Sequence, residues 1–443
     1  MTPAARLQAA IELLEAVAET PRPADGTASA YFRDRRFIGS KDRRAISERV
    51  WGMLRRWART AWWLRRVWMG PAPAWEYMPP RARLLVDLVL IDRMGEDAID
   101  ALFTGRDFAP QPLGKMERHM INRLKGQPLD HEEMPAWVRG EVPEWIIPRL
   151  GPLYGEHLND VLAALNAEAP VDLRVNTLKT DLGHAVAELA GEQVSALPTR
   201  FSPLGLRLDS RVNLAGTKAF RDGLVEVQDE GSQLVALLAD ARPGQAVVDF
   251  CAGAGGKTLA LAAAMQGKGR LVACDVSEGR LERSAVRLKR AGAHNVTRRP
   301  LSGERDKWVK RAAGTFDRVL IDAPCSGTGT WRRNPDAKWR LSEDTLADLI
   351  ALQGNILRSA ARLAKPGGRV VYATCSLLPE ENEHQVEAFV SQTDDFRIVP
   401  IPTVWAEVVG DAVACPTENA TLRLDPARHG TDGFFVAVLE RVV

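Results

Sequence analysis

The sequence predicts a three-part protein whose C-terminal part is an α/β domain with a mainly parallel, doubly wound sheet. Short apolar strands alternate with helical patterns from residue 245 onward, and the first of these strands runs into a glycine-rich turn. The first ~125 residues show helical spacing only. A small α+β subdomain is predicted between these two parts.

The N-terminal residues predict an all-α domain over residues 1–128. Apolar residues recur at helical spacing over residues 6–19, and two prolines end this helix. Helical patterns return over residues 42–68, 81–92 and 116–125. Between Tyr31 and Gly70, twelve basic residues face only three acidic ones. This local excess favours a polyanionic partner such as RNA, although core tryptophans and a solvated basic face would explain each residue taken singly.

The composition is that of an ordinary globular protein. With 443 residues and 45% hydrophobic content, the chain can hold two or three domains. No apolar run approaches the roughly 18 residues that cross a bilayer, and the N-terminus lacks an apolar signal core, so we expect a cytoplasmic protein without a membrane partner. We also expect a monomer. The five cysteines form no C-x-x-C pair, so neither a metal site nor a disulfide framework is expected.

Prolines and tryptophans interrupt the helical pattern after residue 128, and we interpret residues 129–160 as a helical linker. Residues 161–235 then predict the small α+β subdomain. Its strands are expected at 171–178, 204–208 and 224–228, with a helix at 181–189 after an aspartate cap. Arg174, Asn176 and Lys179 are candidate contacts to an RNA backbone, and each alone could equally be an ordinary surface residue.

The segment QAVVDFCAGAGGKT, from Gln245, is an apolar strand followed by a glycine turn and the start of a helix. Backbone N–H groups and a helix N-terminus can approach a cofactor closely there. A phosphate-binding Walker loop needs a glycine where Cys251 stands, and the dinucleotide fingerprint needs one where Thr258 stands. Neither nucleotide motif is therefore present.

Asp275 ends the next predicted strand, nineteen residues after Gly256. An acid at this position is suited to binding ribose hydroxyls. Because no phosphate-binding lysine has the required spacing, an adenosine cofactor without a polyphosphate fits best. The sequence therefore predicts S-adenosylmethionine as the cofactor of the domain over residues 236–443.

Two later strands end in reactive side chains. The strand at 318–321 ends at Asp322, with Cys325 in the loop beyond it, and the strand at 369–374 runs directly into Cys375. If these strands are neighbours, their carboxyl ends bring the three side chains to one pocket. Carbon-5 of a pyrimidine becomes nucleophilic once a thiolate adds to carbon-6, so two thiols beside a methyl donor indicate covalent catalysis.

Several segments together resemble the bacterial 5-methylcytosine RNA methyltransferases. They are DFCAGAGGKT, ACDVSEGRL, FDRVLIDAPCSGTGTWRRNPDAKW, VVYATCSLLPEENEHQV and DGFFVAVL. The N-terminal segments ARLQAAIELLEAV and GSKDRRAISERVWGMLRR are similar to NusB-like RNA-binding domains. The combination is most similar to the RsmB type, which modifies small-subunit ribosomal RNA. The resemblance implies a Rossmann-like class I methyltransferase domain behind a NusB-like domain.

The resemblance also implies roles for individual residues. Cys375 would be the nucleophile, Cys325 would assist release of the product, and Asp322 would hydrogen-bond the pyrimidine. Lys257 would lie near Asp322 or the cofactor carboxylate, and Lys338 would belong to an RNA-facing loop. The residues that would hold the cofactor are Cys251, Ala252, Gly253, Ala254, Gly255, Gly256, Lys257, Asp275, Arg280 and Asp322.

Two departures from the family pattern stand out. Gly253-Ala254 replaces the usual Ala-Pro of the glycine turn, and Leu301 stands where the family has an acid that contacts adenine, with Asp306 as a weak substitute. We therefore expect methylation of a cytidine in RNA, most simply 16S ribosomal RNA. Transfer RNA as the substrate, and a NusB-like RNA-binding or assembly factor without catalysis, remain alternatives.

Overall fold

The computed structural model describes residues 1–442, and the chain divides into two compact units. The helical unit comprises Met1–Ala167 together with Trp331–Leu341. The α/β unit comprises Glu168–Thr330 together with residues 342–442. In the part of the chain that is described, every helix falls short of the length or the hydropathy that a bilayer-crossing segment requires.

The helical unit is built from helices, and those within residues 3–139 share one apolar core. The helices of the unit are α1 (Pro3–Glu19), α2 (Ala24–Asp34), α3 (Ser40–Arg55), α4 (Trp57–Val67), α5 (Pro80–Leu90), α6 (Glu96–Asp100), α7 (Lys115–Leu124), α8 (Ala136–Arg139), α9 (Ile147–Tyr154) and α10 (Leu158–Asn166).

Local chemistry explains where several of these helices begin. The Thr2 side chain accepts a hydrogen bond from Ala5 N at the start of α1. The continuous pattern predicted over residues 42–68 is two helices, because the backbone leaves the helical region at Arg56. The buried Glu141 carboxylate then accepts hydrogen bonds from the backbone N–H groups of Ala58 and Arg59, which start α4. Helix α2 was not predicted.

A small antiparallel sheet opens the α/β unit, and its strand order is β2-β3-β1-β4. Its elements are β1 (Asp172–Val175), α11 (Leu182–Gly191), β2 (Ala196–Pro198), β3 (Gly205–Leu208), α12 (Lys218–Arg221) and β4 (Val225–Val227). Three strands and the helix lie close to their predicted positions, and the short edge strand β2 was not predicted. As expected, Asp181 caps α11 by accepting from His184 N.

The large sheet has the order β10-β12-β9-β8-β5-β6-β7, with β11 paired to β12. The pairs from β9 through β7 are parallel, and the pairs that involve β12 are antiparallel. Its strands are β5 (Ala246–Asp249), β6 (Arg270–Asp275), β7 (Val296–Pro300), β8 (Phe316–Asp322), β9 (Ala364–Thr374), β10 (Phe396–Val399), β11 (Leu422–Leu424) and β12 (Phe434–Arg441). The predicted doubly wound, mainly parallel sheet is confirmed.

Helices of the α/β unit connect these strands, and an apolar core lies on each face of the sheet. Successive strand residues alternate between the two cores, so that Val247 belongs to one and Val248 to the other. The helices are α13 (Glu230–Leu237), α14 (Gly256–Ala264), α15 (Glu278–Ala291), α16 (Lys307–Arg311), α17 (Glu343–Ala361), α18 (Glu383–Val390), α19 (Ile401–Val408) and α20 (Pro426–His429).

Candidate active site

Four parallel strands bring acidic and thiol-bearing residues to one edge of the large sheet. Strands β5, β6 and β8 end at Asp249, Asp275 and Asp322, and β9 ends immediately before Cys375. The carboxyl ends of neighbouring parallel strands meet at the same edge. Strands β8 and β9 pair directly, which confirms that they are neighbours as expected.

Cys325 and Cys375 approach each other from the two loops that follow β8 and β9. Their Sγ atoms are 3.4 Å apart, within hydrogen-bonding distance for sulfur. The loops are joined by their backbones, because Ala323 N donates to Ala373 O and Gly329 N donates to Cys375 O. The hydrogen bond with Cys375, followed by burial, raises the pKa of the Cys325 thiol. The raised pKa favours the protonated form of Cys325, and either sulfur can be the donor of the pair.

Lys257 and Asp322 form an ion pair in the same site. Lys257 lies in the first turn of α14, and its Nζ donates to Oδ2 of Asp322 at 2.7 Å. Burial by itself disfavours the ammonium charge, but the attraction and hydrogen bond of Asp322, with smaller effects of Cys375 and Asp249, raise the pKa of Lys257 above its usual value. The lysine therefore stays a cation and holds the Asp322 carboxylate.

The turn after β5 has the backbone conformation that a closely bound cofactor requires. Gly253 and Gly255 have φ angles of +55° and +83°, which favour glycine. A Cβ on Gly255 would lie 2.9 Å from the Cβ of Ser284, whereas the positions of Gly253 and Gly256 face open space. Glycine at 253 suits its left-handed conformation better than the alanine usual in the family. The turn can therefore admit a ligand close to its backbone.

Asp275 supports this turn and keeps capacity for a ligand. Its Oδ2 accepts from Gly253 N at 2.8 Å, and its Oδ1 accepts from Ser277 N at 2.7 Å. Each carboxylate oxygen has a second lone pair that a ribose hydroxyl could use. The glycine turn leaves space beside its backbone, and the Asp275 carboxylate next to it is fixed in orientation. Both features fit an adenosine cofactor such as S-adenosylmethionine. Arg280, also predicted to bind the cofactor, is exposed in the first turn of α15.

Asp249 is a buried acid in the same site that was not predicted from the sequence. Its Oδ2 accepts from the Thr258 hydroxyl at 2.6 Å, while its Oδ1 is buried without a hydrogen-bond partner. Burial is the main cause that raises the pKa of Asp249, to about 7. An acid that ends an apolar strand directly before a glycine turn was the signal that could have identified it.

The remaining cysteines lie outside the thiol pair. Cys274 is buried, and burial is the main reason that the pKa values of both Cys274 and Cys251 are raised. Cys415 is partly exposed, and burial raises its pKa as well. Within residues 1–442, His, Cys, Asp and Glu side chains form no group of three or more that could hold a metal ion.

The residues predicted to contact RNA from the small subdomain have partners within the protein. Arg174 is buried and donates from Nε to Gln228, and burial lowers its pKa to about 10. Asn176 is buried and donates to the carbonyl oxygens of Gly223 and Ala291. Lys179 donates to two carbonyl oxygens, those of Asp222 and Arg290. These contacts give Arg174 and Asn176 structural roles and leave neither side chain on the surface.

Lys338 is also buried, with only 1% of its surface exposed. Its Nζ donates to Oδ1 of Asn166 at 2.8 Å, and both residues belong to the helical unit. Burial lowers the pKa of Lys338 to about 7. The resemblance implies a lysine of an RNA-facing loop here. The structure instead gives its ammonium a partner inside the protein, because the segment at 331–341 folds with the helical unit.

The position of the missing adenine-binding acid is apolar in the structure. Leu301 is buried in the core on one face of the sheet, and its backbone N–H donates to Asp275 O. Asp306 accepts from Ser302 and from Trp308 N at the start of α16, and these hydrogen bonds lower its pKa to about 2. The Asp306 carboxylate therefore caps α16 and already accepts hydrogen bonds within the protein.

A hydrogen-bond network behind the thiols was also missed. The buried carboxylate of Glu381 accepts from Ser326, which follows Cys325 in the chain. The Ser326 hydroxyl lies 3.2 Å from the hydroxyl of Ser376, which follows Cys375. The acids of the segment PEENE were the available signal, because they follow Cys375 by only a few residues and can reach the loops at the same strand ends.

A doubly wound sheet with a glycine turn and an acid at the next strand end defines a class I S-adenosylmethionine-dependent methyltransferase domain, and solved structures agree. The crystal structure of PH0851 is similar with a TM-score of 0.80 and 27% identity, covering 100% of this chain and 99% of that chain. A methyltransferase homologue from Pyrococcus horikoshii has a TM-score of 0.59 and 28% identity over 69% of this chain and 97% of its own.

The chain belongs to the 16S rRNA methyltransferase RsmB/F family. The model of that family matches residues 236–440, and a model of its ferredoxin-like domain matches residues 142–215. The probable ribosomal RNA small subunit methyltransferase B of Synechocystis sp. is 32% identical over 420 residues, which cover 91% of this chain and 92% of the relative. The predicted RsmB-type relationship is thereby confirmed.

Proposed function

We propose that this protein transfers a methyl group from S-adenosylmethionine to carbon-5 of a cytidine in 16S ribosomal RNA, through a covalent bond between Cys375 and carbon-6 of the base. The observation that carries this proposal is the 3.4 Å separation of the two Sγ atoms in a site that also holds the Lys257–Asp322 pair. In covalent catalysis one thiol adds to carbon-6 and a second thiol can assist its later elimination. Direct transfer of the methyl group would need neither thiol.

Cys375 acts first. After the thiol proton of Cys375 has passed to solvent, the thiolate adds to carbon-6 and forms the carbon–sulfur bond. The π electron pair of the carbon-5–carbon-6 bond becomes an enamine-like pair at carbon-5, which is then nucleophilic toward the methyl group. Asp322 hydrogen-bonds the ring and supports this shift of charge. Lys257 orients Asp322 through their 2.7 Å contact. Cys325 keeps its proton during the attack, so the two thiols do not compete for carbon-6.

The glycine turn holds the cofactor, which supplies the electrophilic methyl group when bound. We assign its methionine part to the backbone from Cys251 to Gly256 and its ribose to Asp275, with Arg280 nearby. The open space at Gly253 and Gly256 supports this placement. The adenine would pack near the apolar Leu301, and a backbone group would have to meet its amine.

Release of the product needs the carbon-5 proton to leave and the carbon–sulfur bond to break. The electron pair of the carbon–hydrogen bond restores the ring double bond, and the electron pair of the carbon–sulfur bond returns to Cys375. We assign proton removal to Cys325 after its own proton has passed to solvent. The position of its sulfur next to the bond that breaks supports this role.

The target cytidine must leave any base stack to reach the thiol, so we expect a single-stranded or flipped-out nucleotide. The NusB-like helical domain is proposed to bind the surrounding RNA. Exposed cations around the loop between α2 and α3 support this assignment, since Arg33, Arg36 and Lys41 form no ion pair within residues 1–442.

Labelled cofactor and purified RNA test the proposal. The wild-type protein should place 5-methylcytosine in 16S rRNA, and Cys375→Ala should abolish the label while Cys415→Ala, outside the site, retains it. Cys325→Ala should form a protein–RNA adduct that survives denaturation, because attack remains possible and release does not. Unchanged methylation by Cys375→Ala would disprove the assignment of the nucleophile.

The same assay separates the alternatives. Label in transfer RNA but not in 16S rRNA would move the proposal to the other substrate. A folded wild-type protein that binds RNA without labelling it would favour the non-catalytic assembly factor.

A further inference from the structure

Glu381 is an unusual buried charge directly behind the thiol pair. It ends the 3-10 turn Pro379–Glu381, which follows the Cys375 loop, and its side chain is entirely buried. No Lys, Arg or His of residues 1–442 forms an ion pair with it. A buried carboxylate without a cation is strongly unfavourable unless hydrogen bonds satisfy it. Its burial therefore calls for an explanation beyond packing.

The hydrogen bonds of Glu381 converge on the loop that carries Cys325. Its Oε1 accepts from Ser326 N at 2.8 Å and from Gln353 Nε2 at 2.8 Å, and its Oε2 accepts from the Ser326 hydroxyl. Gln353, which is buried in α17, also donates from Nε2 to the carbonyl oxygen of Pro324 at 2.9 Å. The residues on both sides of Cys325 are thus tied to one carboxylate.

The same network reaches the loop of the nucleophile. The hydroxyl of Ser376 lies 3.2 Å from that of Ser326 and 3.1 Å from that of Thr328, and it accepts from Leu378 N at 3.0 Å. The backbone oxygen of Glu381 accepts from the Tyr372 hydroxyl at 2.7 Å, which anchors the turn to β9. A shift of Glu381 would therefore change both loops together.

We propose that Glu381 is a positioning residue that holds Cys325 at working distance from Cys375 through Ser326 and Gln353. This inference rests on the proposed function, because a fixed separation of the two sulfurs matters only if both take part in one reaction. The buried negative charge has a second effect. It opposes a second negative charge on Cys325, and it is one of the causes that raise the pKa of that thiol. Glu381 therefore helps to keep Cys325 protonated until the attack by Cys375 is complete.

Glu381→Gln tests the role with little change of shape. The glutamine oxygen can still accept from Ser326 N and Gln353 Nε2, but the glutamine NH2 can only donate to the Ser326 hydroxyl. The variant therefore reverses the Ser326 hydroxyl bond and removes the negative charge. We expect adduct resolution and kcat to fall about tenfold or more, with KM for RNA within about twofold of the wild type. The pH dependence of adduct release should also move to lower pH, because the charge that opposes Cys325 ionisation is gone.

Two further variants keep the test decisive. Ser326→Ala removes only the hydroxyl contact and retains the backbone one, so its loss of kcat should be smaller than that of Glu381→Gln. Glu387→Gln removes an exposed carboxylate in α18 and should behave as the wild type. If Glu381→Gln does not fold, the Ser326→Ala result decides, and an unchanged kcat and pH profile would refute the proposal.

The outcomes separate this inference from the proposed function. If the wild type shows neither label nor adduct, the proposed function fails. If the wild type is active and folded Glu381→Gln has wild-type kcat, release rate and pH profile, only the positioning role fails. A parallel loss of thermal stability and cofactor binding, with no shift of the pH profile, would make Glu381 merely structural and would also overturn the proposal.

Discussion

Cys274 and Cys325 are both held as thiols, but for different reasons. Burial is the main cause that raises the pKa of Cys274, a small apolar residue of the sheet core. For Cys325 the first cause is the hydrogen bond with Cys375. A thiol whose pKa is raised by a neighbouring group can lose its proton once that neighbour has reacted. A thiol whose pKa is raised by burial stays protonated as long as it stays buried. This difference supports the release role that we propose for Cys325.

Asp249 gives a pH-dependent prediction. Its pKa is raised from 3.8 to about 7, so folding favours its protonated form, and its contribution to stability is lost as pH rises from about 4 through 7. The amide that replaces the carboxyl group in Asp249→Asn cannot ionise. The melting temperature of this variant relative to the wild type, measured without cofactor, should therefore rise across this range and level off above about pH 7.

Asp306→Asn provides a contrast of opposite sign. Hydrogen bonds from Ser302 and Trp308 N lower the pKa of Asp306 to about 2, so its contribution to stability is present above about pH 4 and is lost as pH falls through 2. The variant should be less stable than the wild type at neutral pH, and the difference should shrink in acid. An Asp249→Asn difference that does not vary with pH would contradict the assignment.

At the scale of elements, the loop between α2 and α3, together with the first turn of α3, is the surface to which we assign RNA binding. Arg36 and Lys41 are exposed and form no ion pair within residues 1–442, and Phe37 between them is 78% exposed. Cations bind phosphates, and an exposed aromatic ring can stack on an unpaired base. Arg36→Gln with Lys41→Gln should weaken RNA binding and reduce the slope of log affinity against log salt by about 1 per cation.

Lys310→Gln supplies the matched control for this experiment. Lys310 is an exposed cation of α16, in the other unit. Its substitution removes a positive charge without touching the loop, so the salt slope should stay close to that of the wild type. If Lys310→Gln reduced the salt slope by as much per charge as the double substitution does, overall charge and not this loop would govern RNA binding.

Element types could be predicted from periodicity more readily than element ends. Helices α1, α5 and α7 lie within a few residues of their predicted positions, because each buries an apolar stripe. The break at Arg56 between α3 and α4 could not be predicted, since Glu141, 82 residues beyond Arg59, supplies the cap that starts α4. Helix α2 contains glycine and threonine and is stabilised by packing rather than propensity.

At the scale of the whole molecule, the chain divides differently from its order in sequence. The segment Trp331–Leu341 lies between β8 and α17 in the chain, yet it belongs to the helical unit. Asp336 accepts from Ala24 N at 3.0 Å, Arg55 donates to Arg332 O at 2.7 Å, and the ring centroids of Trp75 and Trp339 are 5.1 Å apart. The helical unit is therefore incomplete without this segment.

A fragment of residues 1–167 should consequently unfold at a lower temperature than the same fragment with a peptide of residues 331–341 added. The peptide restores the hydrogen bonds of buried groups, such as Ala24 N, which otherwise lose their partners. Circular dichroism can measure the shift. A peptide carrying Asp336→Ala should stabilise less, and equal melting temperatures with and without the native peptide would contradict the assignment of the segment.

The sequence by itself determined the doubly wound sheet, the glycine turn and the two thiols, because strand periodicity, glycine spacing and the residue at each strand end are local patterns. Only the tertiary structure decided what surrounds them. The Glu381 network and the partner of Lys338 depend on residues far apart in the chain, and no local pattern records which distant side chain is the partner of a buried group. The burial of Lys338 could not be predicted for this reason, since its partner Asn166 lies 172 residues away.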